Sequence, residues 1–201
     1  MVLKADYLNL KPNDHLTFHP RLRFEELYAT YKNMVYNLAL QYVQNQEDAE
    51  EITQDVFLTI YHSLDGFRQE AKLSTWIYRI GINKSIDFVK SKRRKKRFAI
   101  LTSLFHPITN AEVTLPVSFD HPGVQMEQKE SLAKLFGFIN ELPEQQRTAL
   151  ILHKIEQKSQ AEAAEIMNIS AKALESLVQR AKVSLKKKMN SPSKDNPSII
   201  D

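Results

Sequence analysis

The chain has no cysteine among its 201 residues, which excludes disulfides, thiolate metal sites and a cysteine nucleophile and fits a reducing compartment. Glycine is scarce as well, with four residues in all against roughly 7% in an average protein. So low a content argues against a turn-rich all-β fold. Neither GxGxxG nor the GxxxxGK loop occurs, so nucleotide hydrolysis through a glycine-rich phosphate cradle is not expected. Long apolar runs are missing too. No window approaches the ~18 uninterrupted apolar residues of a membrane span, and MVLKADYLNLKPND places charges where a signal peptide needs an apolar core. The expectation is a cytoplasmic chain without membrane insertion, long enough for one ordinary domain or two small ones.

What the chain does have is charge in blocks. The net charge of +4 hides strong opposing segments. Residues 1–70 carry 6 basic and 11 acidic side chains, residues 71–98 carry 10 and 1, and residues 169–189 carry 6 and 1. Each basic block ends a helical stretch, where Lys and Arg also complement the helix macrodipole. Two such blocks point to a polyanionic partner, since phosphate neutralisation needs several cations on one face.

Phe24, Leu27, Tyr28, Tyr31, Val35, Leu38, Ala39 and Tyr42 recur at the three, four and seven spacing that only a helix places on one side. Asn45 is suited to cap a second helix, about 47–64, that buries Ile52, Val56, Ile60 and Leu64 and turns Glu47, Asp48, Glu50, Glu51 and Asp55 outward. A loop containing Gly66 follows, and a third helix starts near Ser74 and runs into the basic stretch 92–97. Residues 24–97 thus read as one helical bundle behind an N-terminal tail, 1–23. Pro107, Pro116, Pro122 and Gly123 interrupt residues 98–126, which read as a flexible linker that leaves the placement of the flanking domains open. Helices resume over 127–189. Pro143 suits a first helical turn, Ser159 and Glu162 form a capping box, and the turn Asn168-Ile169-Ser170 precedes a last helix. Residues 190–201 read as a disordered tail. The fold class is all-α: a helical bundle and a C-terminal helix-turn-helix joined by a flexible linker.

The last helix has Leu174, Leu177, Val178, Ala181 and Leu185 on one side. Opposite them stand Lys172, Glu175, Ser176, Gln179 and Lys182, side chains able to hydrogen-bond base edges, followed by Lys186, Lys187 and Lys188 near phosphate height. Ala161, Ala164 and Ala173 are small where two helices cross closely. On the third helix Thr75, Arg79, Asn83, Asp87, Lys90 and Arg94 form a polar stripe beside the aromatic residues Phe67, Trp76 and Tyr78. Aromatic surface next to cations is what single-stranded nucleic acid requires.

The stretch DAEEITQDVFLTIYHSLDGFRQEAKLSTWIYRIGINKSIDFVKSKRRKKR resembles domain two of bacterial extracytoplasmic-function (ECF) sigma factors. LPEQQRTALILHKIEQKSQAEAAEIMNISAKALESLVQRAKVSLKKKM resembles their domain four. The resemblance implies a subunit that binds core RNA polymerase through its clamp coiled coil and flap and directs promoter-specific initiation, without cofactors or catalysis of its own. It assigns Asp48, Glu51 and Asp55 to polymerase docking. Phe67, Arg68, Lys72, Thr75, Trp76, Arg79, Asn83, Lys84, Arg93 and Arg94 would recognise and melt the minus-10 element, capturing a flipped base, with binding offsetting the few kcal/mol of extrusion. Lys172, Glu175, Ser176, Gln179, Arg180, Lys182 and Lys186 would read the minus-35 duplex, although Glu175 and Leu177 stand where many members carry basic residues. Promoter DNA, as duplex and as melted strand, is the implied ligand. An anti-sigma factor, frequent in the family, is the further partner.

Two other classes compete. A stand-alone helix-turn-helix regulator would need a dimer face and would footprint DNA without polymerase. An enzyme would have to use Glu47, Asp48, Glu51 and Asp55 as a metal-dependent nuclease, or a metal shared by His15 and His19, for which no third ligand stands in register. His62, His106, His121 and His153 are isolated and read as surface or packing residues.

Overall fold

The computed structural model describes residues 20–67, 71–105 and 126–190. Arg68, the four histidines at 15, 19, 106 and 121, most of the expected linker and both ends of the chain lie outside the described residues. Among those described, every regular element is helical, as expected.

The first unit has three helices: α1 (Pro20–Val43), α2 (Gln46–Ser63) and α3 (Leu73–Phe105). Gln44 ends α1 in the left-handed region at φ 56°, with its backbone N–H on the Leu40 carbonyl at 2.8 Å. Asn45 then caps α2, its side chain accepting from the Asp48 N–H at 2.8 Å. A single 3-10 turn, Leu64–Gly66, closes α2. Leu27, Val35, Ala39, Ile52, Val56, Phe57, Ile60 and Ile77 form the buried core of this unit, with Phe24, Tyr31 and Trp76 packed against it. α1 and α3 approach so closely that a Cβ on Gly81 would stand 3.0 Å from Leu38 Cδ2.

Two boundaries differ from the sequence reading. Ser74 lies inside the first turn of α3, where the Lys72 carbonyl accepts from the Trp76 N–H at 3.1 Å. α3 also continues eight residues past Arg97, the expected end, to Phe105. The run 92–97 consists of unbranched side chains with high helix propensity, so nothing in it ends the helix.

The second unit comprises α4 (Met126–Asn140), α5 (Glu144–Leu150) extended by a π-helical turn over Ile151–Ile155, α6 (Gln160–Met167) and α7 (Ala171–Met189). Pro143 precedes α5. The Ser159–Glu162 capping box is complete in both directions. Asn168 takes φ 54°, ψ 47° at the end of α6, and Ser170 caps α7 by accepting from Ala173 N–H at 3.2 Å. Phe136, Ile139, Leu142, Leu150 and Ala181 join α4 and α5 to α7. Ala163 and Ala164 are buried at the α6–α7 crossing, whereas Ala161, expected there, is exposed. Two residues along a helix is a 200° rotation, so Ala161 and Ala163 cannot share a face.

The placement left open by the linker is definite in the structure. Leu38, Tyr42, Tyr78, Ile82 and Ile86 of the first unit share one buried cluster with Ala149, Ile151, Leu152, Ala163, Ala164, Ile166, Leu174, Leu177 and Val178 of the second. The two units meet through apolar side chains along one side of α3.

Candidate nucleic-acid interface

α7 is the more open of the two candidate surfaces. Leu174, Leu177, Val178 and Ala181 are buried against α5 and α6, so its remaining arc is turned to solvent. Lys172, Glu175, Ser176, Gln179, Arg180, Lys182 and Lys186 are all exposed on it. Ser176 Oγ donates to the Lys172 carbonyl at 3.0 Å, and Arg180 Nε donates to the Ser176 carbonyl at 3.2 Å. Leu177 is a core residue, so the departure from the family pattern there reflects packing. The α6 side chain of Gln160 reaches the Ala171 carbonyl at 3.0 Å and fixes the angle between the helices.

Along α3 the polar stripe divides. Phe67 and Trp76 face each other with ring centroids 5.0 Å apart, a partly exposed aromatic pair next to the exposed Lys72. Tyr78 does not join them. It is 3% exposed and points to the second unit, where its hydroxyl donates to Glu156 Oε2 at 2.8 Å. Asn83 is exposed and Lys84 half-buried. Arg79 and Asn83 line a cleft of about 430 Å³ whose other wall is Glu144, Gln145, Thr148 and the end of α6. Further along, Arg93 and Arg94 line a groove of about 1010 Å³ with Asp87, Lys96 and Arg97, a strongly positive channel suited to a phosphate backbone. Arg93 also donates to the Asn140 carbonyl at 2.8 Å.

Several residues of the seam between the units were not legible as functional. Tyr42, read as one more apolar position on α1, donates its hydroxyl to Thr148 Oγ1 at 3.0 Å, and burial pushes its pKa up to about 12. Burial, then the charge and hydrogen bond of Glu156, holds the Tyr78 hydroxyl well above its usual range. Glu156 accepts from both Tyr78 and the Gln41 amide, and the Lys158 ammonium lies 4.7 Å from the Tyr78 ring centre. Arg147 is 4% exposed with its guanidinium 5.0 Å from the Tyr42 ring centre, and burial lowers its pKa. A polar residue whose partner is over a hundred positions away leaves no periodic signal.

On α2, Glu47, Glu50, Glu51 and Asp55 form an exposed acidic face. Asp48, expected among them, turns instead to Lys92 of α3, with its side chain 16% exposed. Its backbone N–H is held by the Asn45 cap. Among the described residues no cluster of three or more His, Asp and Glu could hold a metal ion, and none of the helices is long and apolar enough to cross a membrane. His62 is exposed, and His153 Nδ1 donates to the Lys158 carbonyl at 3.0 Å.

Among the described residues, which form helices and the turns between them, a helix-turn-helix with a polar, basic outer arc and an aromatic pair beside a cationic groove on a second unit make the layout of a DNA-binding protein. Two family models match it: Sigma-70 region 2 over residues 27–95 and Sigma-70, region 4 over residues 133–185. The chain is 31% identical over 168 residues to the ECF RNA polymerase sigma factor SigM of Bacillus subtilis, covering 82% of this chain and 94% of that one. It is 29% identical to SigW of the same organism, covering 83% and 88%. The solved structure of CnrH in complex with the cytosolic domain of CnrY shares the fold, with a TM-score of 0.58 at 22% identity over 86% of this chain and 91% of that chain. The sigma factor RpoE of Bartonella quintana, solved in complex with the anti-sigma factor NepR, gives 0.56 at 20% identity, covering 85% and 98%. The chain belongs to the ECF sigma factors: it is a subunit that directs RNA polymerase to promoters. A stand-alone helix-turn-helix regulator would have no place for the region 2 match.

Proposed function

We propose that the two units divide promoter recognition between them. α7 enters the major groove of the minus-35 element, with Lys172, Glu175, Ser176, Gln179 and Lys182 toward base edges and Arg180 and Lys186 toward phosphates. The observation that carries this assignment is the exposure of every one of these side chains on the arc opposite a fully buried stripe. The α1–α3 unit takes the minus-10 element. Phe67 and Trp76 stack an extruded base, Asn83 hydrogen-bonds it, and Lys72, Arg79, Lys84, Arg93 and Arg94 hold the backbone. Stacking on aromatic side chains is worth about 1–3 kcal/mol per base, of the size needed to offset extrusion. Arg68 joins this set on the resemblance alone.

Glu51 and Asp55 dock on a basic helical surface of core polymerase, while Asp48 supports α3 through Lys92. The units correspond to residues 20–105 and 126–189, and neither has a catalytic role. The solved structures of CnrH and RpoE hold CnrY and NepR, which supports an anti-sigma protein as a further partner. The chain works beside the polymerase in the cytoplasm.

The test is a set of variants assayed with host core polymerase. Asp55→Lys should weaken co-elution with core, Lys182→Ala should weaken minus-35 duplex binding, and Asn83→Ala should impair strand opening with core binding intact. Equal loss of all three activities in each variant would contradict the division.

A further inference from the structure

Of the two faces assigned to DNA, that of α7 is the open one. On α3, Thr75 is 6% exposed and donates to Glu165 Oε1 at 3.3 Å, and Arg79 donates from Nε to the Ile166 carbonyl at 3.1 Å and from Nη2 to the Glu165 carbonyl at 2.7 Å. On α7 every assigned side chain is exposed, so what the arc offers to a base edge depends on which of its groups are already engaged within the helix. Ser176 Oγ has its proton on the Lys172 carbonyl, and Arg180 has its Nε–H on the Ser176 carbonyl. Glu175 and Gln179 are not engaged: among the described residues no ion pair or side-chain hydrogen bond holds either of them.

Glu175 is the one acidic residue of α7. At 3.6 residues per turn, Glu175, Gln179, Lys182 and Lys186 fall within about 60° of one another around the helix, so a carboxylate shares the arc with cations suited to phosphates. It stands in the second turn from the N-terminal end, the part of a recognition helix that reaches base edges. Lys186 lies roughly 16 Å further along. An ionised carboxylate only accepts hydrogen bonds. In the major groove guanine O6 and N7 and thymine O4 are acceptors as well, and adenine sets its N7 acceptor beside its amino group, whereas cytosine presents its N4 amino donor alone. Phosphates also repel the carboxylate, and neither Lys172 nor Lys182 pairs with it in the structure. Its charge therefore opposes binding wherever no amino group meets it. We infer that Glu175 is a specificity-determining residue, whose carboxylate accepts from the N4 amino group of one cytosine in the minus-35 element and rejects the other base pairs at that position. Arg180 and Lys186 add affinity without choice of sequence, and Glu175 adds choice by weakening every site that lacks the cytosine. This rests on the assignment of α7 to the minus-35 duplex.

The test uses the full chain with host core polymerase on templates randomised over the minus-35 region, sequenced before and after recovery of bound complexes. At one position a C·G pair of fixed orientation should be preferred by roughly fivefold or more, the lower end of what one base-edge contact discriminates. Glu175→Ala should abolish the preference at that position, keep the preferences at its neighbours, and raise the recovery of templates without the cytosine. Glu175→Arg should favour the inverted pair, G·C, at the same position. A change of base confined to one position is a readout that a merely structural role would not move. A profile that Glu175→Ala leaves unchanged, or a loss spread evenly over all positions, would overturn the role of Glu175 while α7 stays on the duplex. A Glu175-dependent preference for A·T or T·A would overturn the cytosine contact. Absence of any base preference over the minus-35 region, with the chain bound to core, would overturn the assignment of α7 and the inference with it.

Discussion

Tyr78 and Arg79 are adjacent in the chain and both face the second unit, yet one is a buried phenol and the other a fork of donors at the rim. Their neighbours decide the pH response. The unfolded phenol ionises near 10, whereas folding holds Tyr78 and Tyr42 neutral to higher pH. A raised folded pKa means that the contribution is complete below about 10 and is lost as pH rises through the folded values. Groups facing Tyr78 are Glu156, Glu162 and Lys158, and those facing Tyr42 are Thr148, Arg147, Glu144 and Glu156. We therefore expect the units to separate on alkaline titration above about pH 10, followed by tyrosinate absorbance and small-angle scattering, with Tyr78→Phe removing part of the response. Glu162 behaves oppositely. Its carboxyl is held below the usual range by the Ser159 hydroxyl and backbone N–H, so the capping contribution is full above ordinary glutamate pKa values and drains as pH falls through the lowered one. Ser159→Ala should cost about 1 kcal/mol, read as a lower denaturation midpoint, and should flatten that acid limb.

Elements show where local rules suffice and where they do not. The caps at Asn45, Ser159 and Ser170 and the buried stripe of α7 were legible because each is set by residues within one turn. The extent of α3 was less so, because the basic run looked like an ending when its residues are good helix formers. Tyr78 is close to Phe67 and Trp76 in sequence but not in space, because Trp76 and Tyr78 lie 200° apart on a helix. Asn168 carries the turn between α6 and α7 in the left-handed region, where a residue without Cβ fits at least as well. Asn168→Gly should thus leave stability unchanged or slightly raised, while Asn168→Ala should lower it by roughly 1 kcal/mol; thermal melts of the full chain decide. On α7, Lys186→Ala should reduce the salt dependence of minus-35 duplex affinity by about one unit of slope and weaken binding across sequences. On the aromatic pair, Phe67→Ala should cost about 1–3 kcal/mol in affinity for minus-10 single strand, measured by fluorescence titration.

At the scale of the whole molecule, the two-unit all-helical fold and the candidate faces were readable in the chain, and the seam between the units was not. Periodicity says which side of a helix is buried without naming what buries it. Leu38, Ile82 and Ile86 serve the contact between units with the same chemistry that Ile52 and Val56 serve within one. Polar members of the seam, Gln41, Thr148 and Glu156, acquire meaning only when elements far apart in sequence meet. Family membership, carried by both matched regions, gives the two units one task, that of a subunit that directs RNA polymerase to promoters. The most direct measurement is to mix purified full-length chain with core RNA polymerase of its own host, test for co-elution, and map initiation on a library of templates. Co-elution with initiation from a fixed start site, on templates sharing two spaced sequence elements, is the predicted result; DNA binding by the chain alone, with no association with core and no directed start, would contradict it.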